Sequence, residues 1–132
     1  MQRPLSPFFS VYRMTRYTLL TSIVNRGTGL VLSLGLILLV YWLMAVAGGR
    51  ASFNQAQAVL AWPPLKLLYL GLILAGSYHL VAGIRHLVWD TGMGLERAQA
   101  RRSSWIVIGA SLALTAVLAW ALLGGGASAG AP

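Results

Sequence analysis

From Gly27 to Ala47 the chain carries no charged side chain, and two further long apolar runs follow it, around residues 62–90 and 104–124. A helix needs about 20 apolar residues to cross a bilayer at 1.5 Å per residue, and each run supplies them. Composition agrees. Only 9% of the 132 residues are charged and 58% are hydrophobic, whereas soluble domains carry about 25% charge. Such a chain has too few charges to cover a water-facing surface. The expected fold is therefore an all-α membrane protein of three transmembrane helices, an up-down-up bundle.

The boundaries follow from the breaks between the runs. Residues 1–21 hold Pro4, Pro7, Arg3, Arg13, Arg16 and several aromatics, which suits a cytoplasmic segment lying at the membrane interface. The first span is expected over 22–47, ended by Gly48 and Gly49. A polar external loop occupies 48–61, with room for a short helical turn. The second span, 62–90, opens at Trp62-Pro63-Pro64, where a first helical turn tolerates proline. A charged cytoplasmic loop at 91–103 leads to a third span at 104–124 and a short external tail at 125–132. Ala45-Val46-Ala47 has the small-x-small look of a signal-peptidase site, but the apolar run and its basic lead are too long for a signal peptide. Arg3, Arg13, Arg16 and Arg26 precede the first span's core, Arg85, Arg97, Arg101 and Arg102 surround the second connection, and only Arg50 and Lys66 fall on the other side. That asymmetry puts the N-terminus in the cytoplasm. The absence of presequence character favours a bacterial inner membrane.

Within the second run, Gly76, His79, Gly83, His86 and Asp90 step by three or four residues and share one helical face. Both histidines and one of the two acids thus sit on one stripe of an apolar helix. Ionisable groups inside a span are costly and mark function. His79 has three ordinary uses there: a haem ligand, a proton relay, or a hydrogen bond between helices. Gly76 and Gly83 would let a flat macrocycle lie against the helix, or simply let another helix approach. If His79 binds haem iron, His86 cannot be the second axial ligand. Residues seven apart on one face lie roughly 10 Å apart along the axis. With only two histidines in the chain, a second ligand must come from another subunit. On the first helix Ser22, Arg26, Gly29 and Ser33 share a face. Ser22 and Arg26 are candidate donors to a quinone carbonyl or a haem propionate, and Arg26 is equally a membrane-boundary anchor. Asp90 is a candidate proton source for a reduced quinone, or a helix-end carboxylate paired with Arg85 or Arg97. No cysteine is present, so neither a disulfide nor a thiolate metal site exists. The net charge of +8 is confined to clusters flanking apolar runs, which points to membrane lipid and not to nucleic acid.

Three motifs in order, Arg3-Pro4-Leu5-Ser6-Pro7, Ser22-Ile23-Val24-Asn25-Arg26-Gly27-Thr28-Gly29, and His79-x-x-x-Gly83-Ile84-Arg85-His86-Leu87-x-Trp89-Asp90-x-Gly92-x-Gly94-Leu95, resemble the cytochrome b membrane-anchor subunit of succinate dehydrogenase, respiratory complex II. The resemblance covers residues 3 to 95. It implies a haem b held between this chain and a second anchor subunit, with His79 as this chain's axial ligand. It implies ubiquinone near Ser22 and Arg26, Arg26 and His86 near the haem propionates, and an iron–sulfur subunit and a flavoprotein subunit as partners. Succinate oxidation would then occur on those partners, the chain being part of an enzyme and not one alone. A fumarate reductase anchor and a non-redox packing or transport protein are the competing readings. The transport reading wants ionisable groups along a pathway, and the third run offers none.

One position departs from the family pattern: Asn25 stands where a histidine associated with the haem propionates is usual. Asparagine keeps a donor but cannot carry positive charge. An Asn25→His variant is expected to retain haem and shift its midpoint potential in a redox titration. An unchanged potential would count against the assignment.

Overall fold

The structure, a computed structural model, describes residues 17–124; the expected interfacial residues 1–16 and the tail 125–132 lie outside the described residues. Every described secondary-structure element is helical: α1 (Tyr17–Ala47), α2 (Arg50–Leu60), α3 (Leu65–Asp90) and α4 (Arg97–Ala119), the last running into one widened π turn, Trp120–Gly124. In hydrocarbon no water is available to bond a backbone N–H or C=O, so an apolar run must close its own hydrogen bonds as a helix. Three of the helices are long and apolar enough to cross a membrane: Leu19–Ala47, Leu65–Asp90 and Arg97–Leu122.

The long helices overshoot the runs that define them. α1 begins at Tyr17 and α4 at Arg97, so the charged stretch expected as a linker is mostly the first two turns of α4. Helix propensity explains this. Ala98, Gln99, Ala100, Arg101 and Arg102 are all good helix formers, and outside the bilayer their side chains are free to be charged. The external connection is also more ordered than a loop with one turn. It holds the eleven-residue α2, whose Phe53, Ala56 and Leu60 form the inward face, with Ala56 buried.

The turns use local chemistry. Gly49 has φ +85°, a left-handed value that lets α2 start with only two residues between it and α1. The prolines leave α3 to begin at Leu65, whose N–H bonds Trp62 O at 2.9 Å. Tyr69 Oη donates to Leu60 O at 2.8 Å, tying the end of α2 to α3. After α3, Gly92 at φ +82° and Gly94 at φ +77° reverse the chain.

α3 is the central helix, packing against both α1 and α4, which touch each other more sparingly. Contacts fix the α1–α3 pair as antiparallel: a Cβ on Gly35 would meet Leu72, one on Gly76 would meet Leu32, and one on Gly29 would meet His79. Against α4, α3 buries Tyr78 and Ala82 on Val107. The inward stripe of α4 is Ala100, Ser104, Val107, Ser111 and Thr115, small or hydroxyl-bearing residues that bring helix backbones close. Their hydroxyls bond back to carbonyls one turn earlier: Ser104 to Ala100, Ser111 to Val107 and Thr115 to Ser111, at 2.9, 2.6 and 2.7 Å. No hydroxyl of that stripe is left bare to the core.

The outside of the bundle is apolar. Leu30, Leu34, Ile37 and Met44 of α1 are each at least 60% exposed, a surface that suits lipid or another membrane helix and would aggregate in water. Ala82 is fully buried at the α3–α4 seam. Ala82→Leu overpacks it and is expected to cost about 1–3 kcal/mol, seen as a lower thermal midpoint and less chain in the membrane. Wild-type stability in that variant would show that the seam is loose.

Candidate functional site

Two polar junctions occupy the half of the bundle that holds the start of α1, the end of α3 and the start of α4. The first joins α1 to α3 at His79. Its Nδ1 lies 3.1 Å from the backbone oxygen of Asn25 and 3.3 Å from Thr28 Oγ1. A carbonyl can only accept, so Nδ1 carries the proton. Thr28 Oγ1 donates to the same Asn25 oxygen at 2.8 Å. The imidazole is thereby fixed in one tautomer, with Nε2 left as a lone pair. Nε2 has no protein hydrogen bond among the described residues, and it is not one of the buried polar atoms sealed off without a partner.

Glycine makes this approach possible. A Cβ on Gly29 would stand 3.1 Å from His79 Cε1. One turn further along α3, a Cβ on Gly83 would meet nothing within 4 Å. The histidine stripe is thus packed at His79 and open beside Gly83.

The second junction joins all three long helices through Arg85, which is only 6% exposed. Its Nη1 donates to Ser104 Oγ of α4 at 3.0 Å, and its Nη2 donates to Thr21 Oγ1 of α1 at 2.9 Å. Its guanidinium carbon lies 4.4 Å from the centroid of the Trp89 ring, a cation–π contact. Tyr78 Oη donates to the backbone oxygen of Thr21 at 3.0 Å. Trp89 meets His86 edge-on at 5.5 Å, and a Cβ on Gly94 would lie 3.5 Å from its indole. His86 Nδ1 is 2.7 Å from Ala82 O, so it too is the protonated nitrogen.

The five candidates from the sequence are placed unevenly. His79 is half-buried at the helix seam. Ser22 and His86 are half-buried, while Arg26 and Asp90 are exposed. Ser33 bonds the Gly29 carbonyl at 2.9 Å and so only closes its own helix. Among the described residues no hydrogen bond or ion pair joins Ser22, Arg26, His86 and Asp90 to one another. Arg85 does not pair with Asp90; it turns into the bundle, and it is no flanking charge. Without Arg85, seven of the eight basic residues expected on the N-terminal side remain against Arg50 and Lys66, so the asymmetry of the sequence is kept.

Sequence reasoning missed the Arg85 junction because arginine near a span's end reads as an anchor. The signal was present in the spacing: Ala75, Tyr78, Ala82 and Arg85 form a stripe of their own, and Ser104, Val107, Ser111 and Thr115 form its counterpart. Thr28 was likewise a polar residue in a known motif with no assigned partner. No group of three or more His, Cys, Asp or Glu side chains gathers among the described residues, so a bare metal ion has no cage here.

The profile of the family described as succinate dehydrogenase/fumarate reductase transmembrane subunit matches residues 1–118. The chain belongs to that family. It is 42% identical over 113 residues to the succinate dehydrogenase cytochrome b556 subunit of Paracoccus denitrificans, covering 85% of each chain. It is 32% identical over 117 residues to the cytochrome b556 subunit of Rickettsia felis, covering 89% of this chain and 90% of that one. To the mitochondrial cytochrome b560 subunit of Sus scrofa it is 36% identical over 109 residues, which cover 80% of this chain and 63% of the pig chain. As a member of this family it is a transmembrane subunit, and the relatives named above are subunits of succinate dehydrogenase.

The hydrogen-bond geometry fixes both imidazole tautomers. In haem-free protein labelled with 15N-histidine and held at alkaline pH, both side chains are expected to show protonated Nδ1 and bare Nε2 in NMR. An Nε2–H tautomer at either residue would contradict the geometry.

Proposed function

We propose that this chain is the haem b- and ubiquinone-binding anchor of a succinate dehydrogenase, carrying electrons from an iron–sulfur subunit to ubiquinone. The observation that supports it most is His79: an imidazole in an apolar helix, its Nδ1 proton held by a backbone carbonyl and its Nε2 presented as a lone pair. That is the second-sphere arrangement that orients a histidine towards iron. The opening beside Gly83 gives a flat ring room along the same face. The residues present therefore fit one half of a haem site. A second anchor subunit would supply the other axial ligand, because His86, bonded back to its own helix, points to no shared centre with His79.

Haem b bound there supplies a one-electron store beside the quinone. This chain's own residues do the rest. The Asn25 carbonyl accepts a hydrogen bond from His79 Nδ1–H and so makes Nε2 a better ligand. Ser22 and Arg26, on one α1 face within a turn of each other, donate hydrogen bonds to a quinone carbonyl. Arg26 is exposed on this chain, so its fork of donors is free to turn to that oxygen or to a haem propionate. His86 would lie towards the propionates of such a haem, and Asp90, exposed at the end of α3, would deliver protons from water. The apolar bundle wall excludes water from the quinone ring.

The basic asymmetry puts the N-terminus and the α3–α4 turn on the cytoplasmic side of a bacterial inner membrane. The flavoprotein and iron–sulfur subunits dock there, where Arg97, Arg101 and Arg102 are exposed on the first turns of α4. The family's description spans both directions of electron flow. The relatives named above are succinate dehydrogenase subunits, which supports the succinate direction over fumarate reduction.

In the assembled complex, His79→Ala is expected to abolish the b-type band in a reduced-minus-oxidised spectrum. Arg26→Leu removes a charged donor, worth about 1.5–3 kcal/mol, and should cut quinone-linked turnover about tenfold or more. Succinate oxidation with a soluble dye, which bypasses the quinone, should persist. An intact b-type band in His79→Ala would refute the haem assignment.

A further inference from the structure

Arg85 is the buried charge among the described residues, the proposed function leaves it unused, and it is a costly group for the bundle to hold. A guanidinium in a membrane span is expensive, and its partners here, Thr21, Ser104 and the Trp89 face, are all neutral. Its Nε is buried without a hydrogen-bond partner. Packing alone does not call for it: a buried ionic group is often replaceable by apolar side chains at no loss of stability. With Nη1 and Nη2 engaged and 6% of the residue exposed, it also offers little to an outside ligand. What it provides is geometry.

Arg85 and Tyr78 stand two turns apart on α3, yet both end on Thr21, one on the hydroxyl at 2.9 Å and one on the backbone oxygen at 3.0 Å. One turn along α1, His79 takes the Asn25 oxygen at 3.1 Å. Three α3 side chains thus bond successive turns of a single α1 face, and Arg85 extends the tie to α4. The rest of the α1–α3 contact is smooth: Gly35 on Leu72 and Leu32 on Gly76. Smooth apolar contacts between membrane helices tolerate sliding, since lipid is as apolar as leucine. Directional bonds do not.

We propose that Arg85 and Tyr78 are positioning residues: by clamping the hydroxyl and the backbone oxygen of Thr21 they set the height of α1 against α3, and hence of Ser22 and Arg26 relative to His79. The part that concerns quinone rests on the function proposed above; the clamp itself does not. Ser22 follows Thr21 directly, so a shift of α1 by one residue, about 1.5 Å, misplaces the donors while leaving both helices intact.

The chain has no cysteine, so an engineered pair reports on register without background. Gly35→Cys with Leu72→Cys sits at the far end of the seam, and the second change removes the side chain that a Cβ at position 35 would meet. The test combines this pair with Thr21→Val, Thr21→Ser or Tyr78→Phe in the assembled complex. Quinone KM and kcat are measured in the same Thr21 and Tyr78 variants without the pair. Thr21→Val and Tyr78→Phe are each expected to lower the 35–72 crosslink yield and to raise quinone KM about three- to tenfold, with dye-linked succinate oxidation retained. Thr21→Ser, which keeps the hydroxyl, should behave as wild type. Unchanged crosslinking in both Thr21→Val and Tyr78→Phe overturns the clamp, as does equal loss in Thr21→Val and Thr21→Ser, which would reveal packing alone. Lost crosslinking with an unmoved KM supports the clamp and overturns the quinone assignment of Ser22 and Arg26.

Discussion

Hydrocarbon offers no hydrogen bonds, and the arrangement of this bundle follows from that. Most polar atoms carried into the span find their partners on the chain itself; Asn25 Oδ1, Ser77 Oγ and Arg85 Nε are buried without one. The hydroxyls of α4 return to their own helix. Arg85, Tyr78 and His79 of α3 instead reach across to α1, and so the polar groups decide how the helices meet. The apolar residues are indifferent by comparison, since they bury as well in lipid as in protein. Only Tyr78, Ala82 and Val107 gather into a buried apolar cluster among the described residues. In a soluble protein of this size such a core would be far too small. Here it only has to exclude lipid from a seam that hydrogen bonds already specify.

The same reasoning separates the two junctions by purpose. At His79 one ring nitrogen is spent on the Asn25 carbonyl and the other is kept, so the junction holds a side chain ready for something else. At Arg85 nearly every polar atom is consumed within the bundle. Asn25 has a mixed part. Its backbone oxygen takes two donors, Thr28 and His79, while its side-chain Oδ1 is buried without any. A histidine at that position would offer a ring N–H in place of that bare acceptor, which gives the departure from the family pattern a local electrostatic meaning.

The fold was legible because apolar run length is a direct physical requirement of crossing a bilayer. The spans could be read from Gly27–Ala47 and its two successors without knowing any contact. Helix ends were harder: beyond the bilayer, helix propensity and not hydropathy decides, and it carried α4 back to Arg97 and turned residues 50–60 into α2. His79 stood out because a histidine stripe in an apolar helix is rare. Arg85 and Thr21 did not, because sequence gives their distance from the membrane boundary but not their rotation. A residue one step round the helix faces a different neighbour. Ser22, Arg26 and Asp90 remain at the surface of this chain, and what they face belongs to other chains that one sequence cannot specify.

Only Gly48 and Gly49 separate α1 from α2, and Tyr69 fastens the far end of α2 to α3. At eleven residues and about 16 Å, α2 is too short to cross and too polar, with Arg50, Asn54, Gln55 and Gln57, to enter the bilayer. Held at both ends, it can neither swing out into water nor follow the bundle inwards. It acts as a flange on one membrane face, while the arginines of α4 act as its counterpart on the other. Polar stops on opposite faces oppose vertical displacement more than tilt, so they would tie the depth of everything the bundle carries to the thickness of the membrane around it.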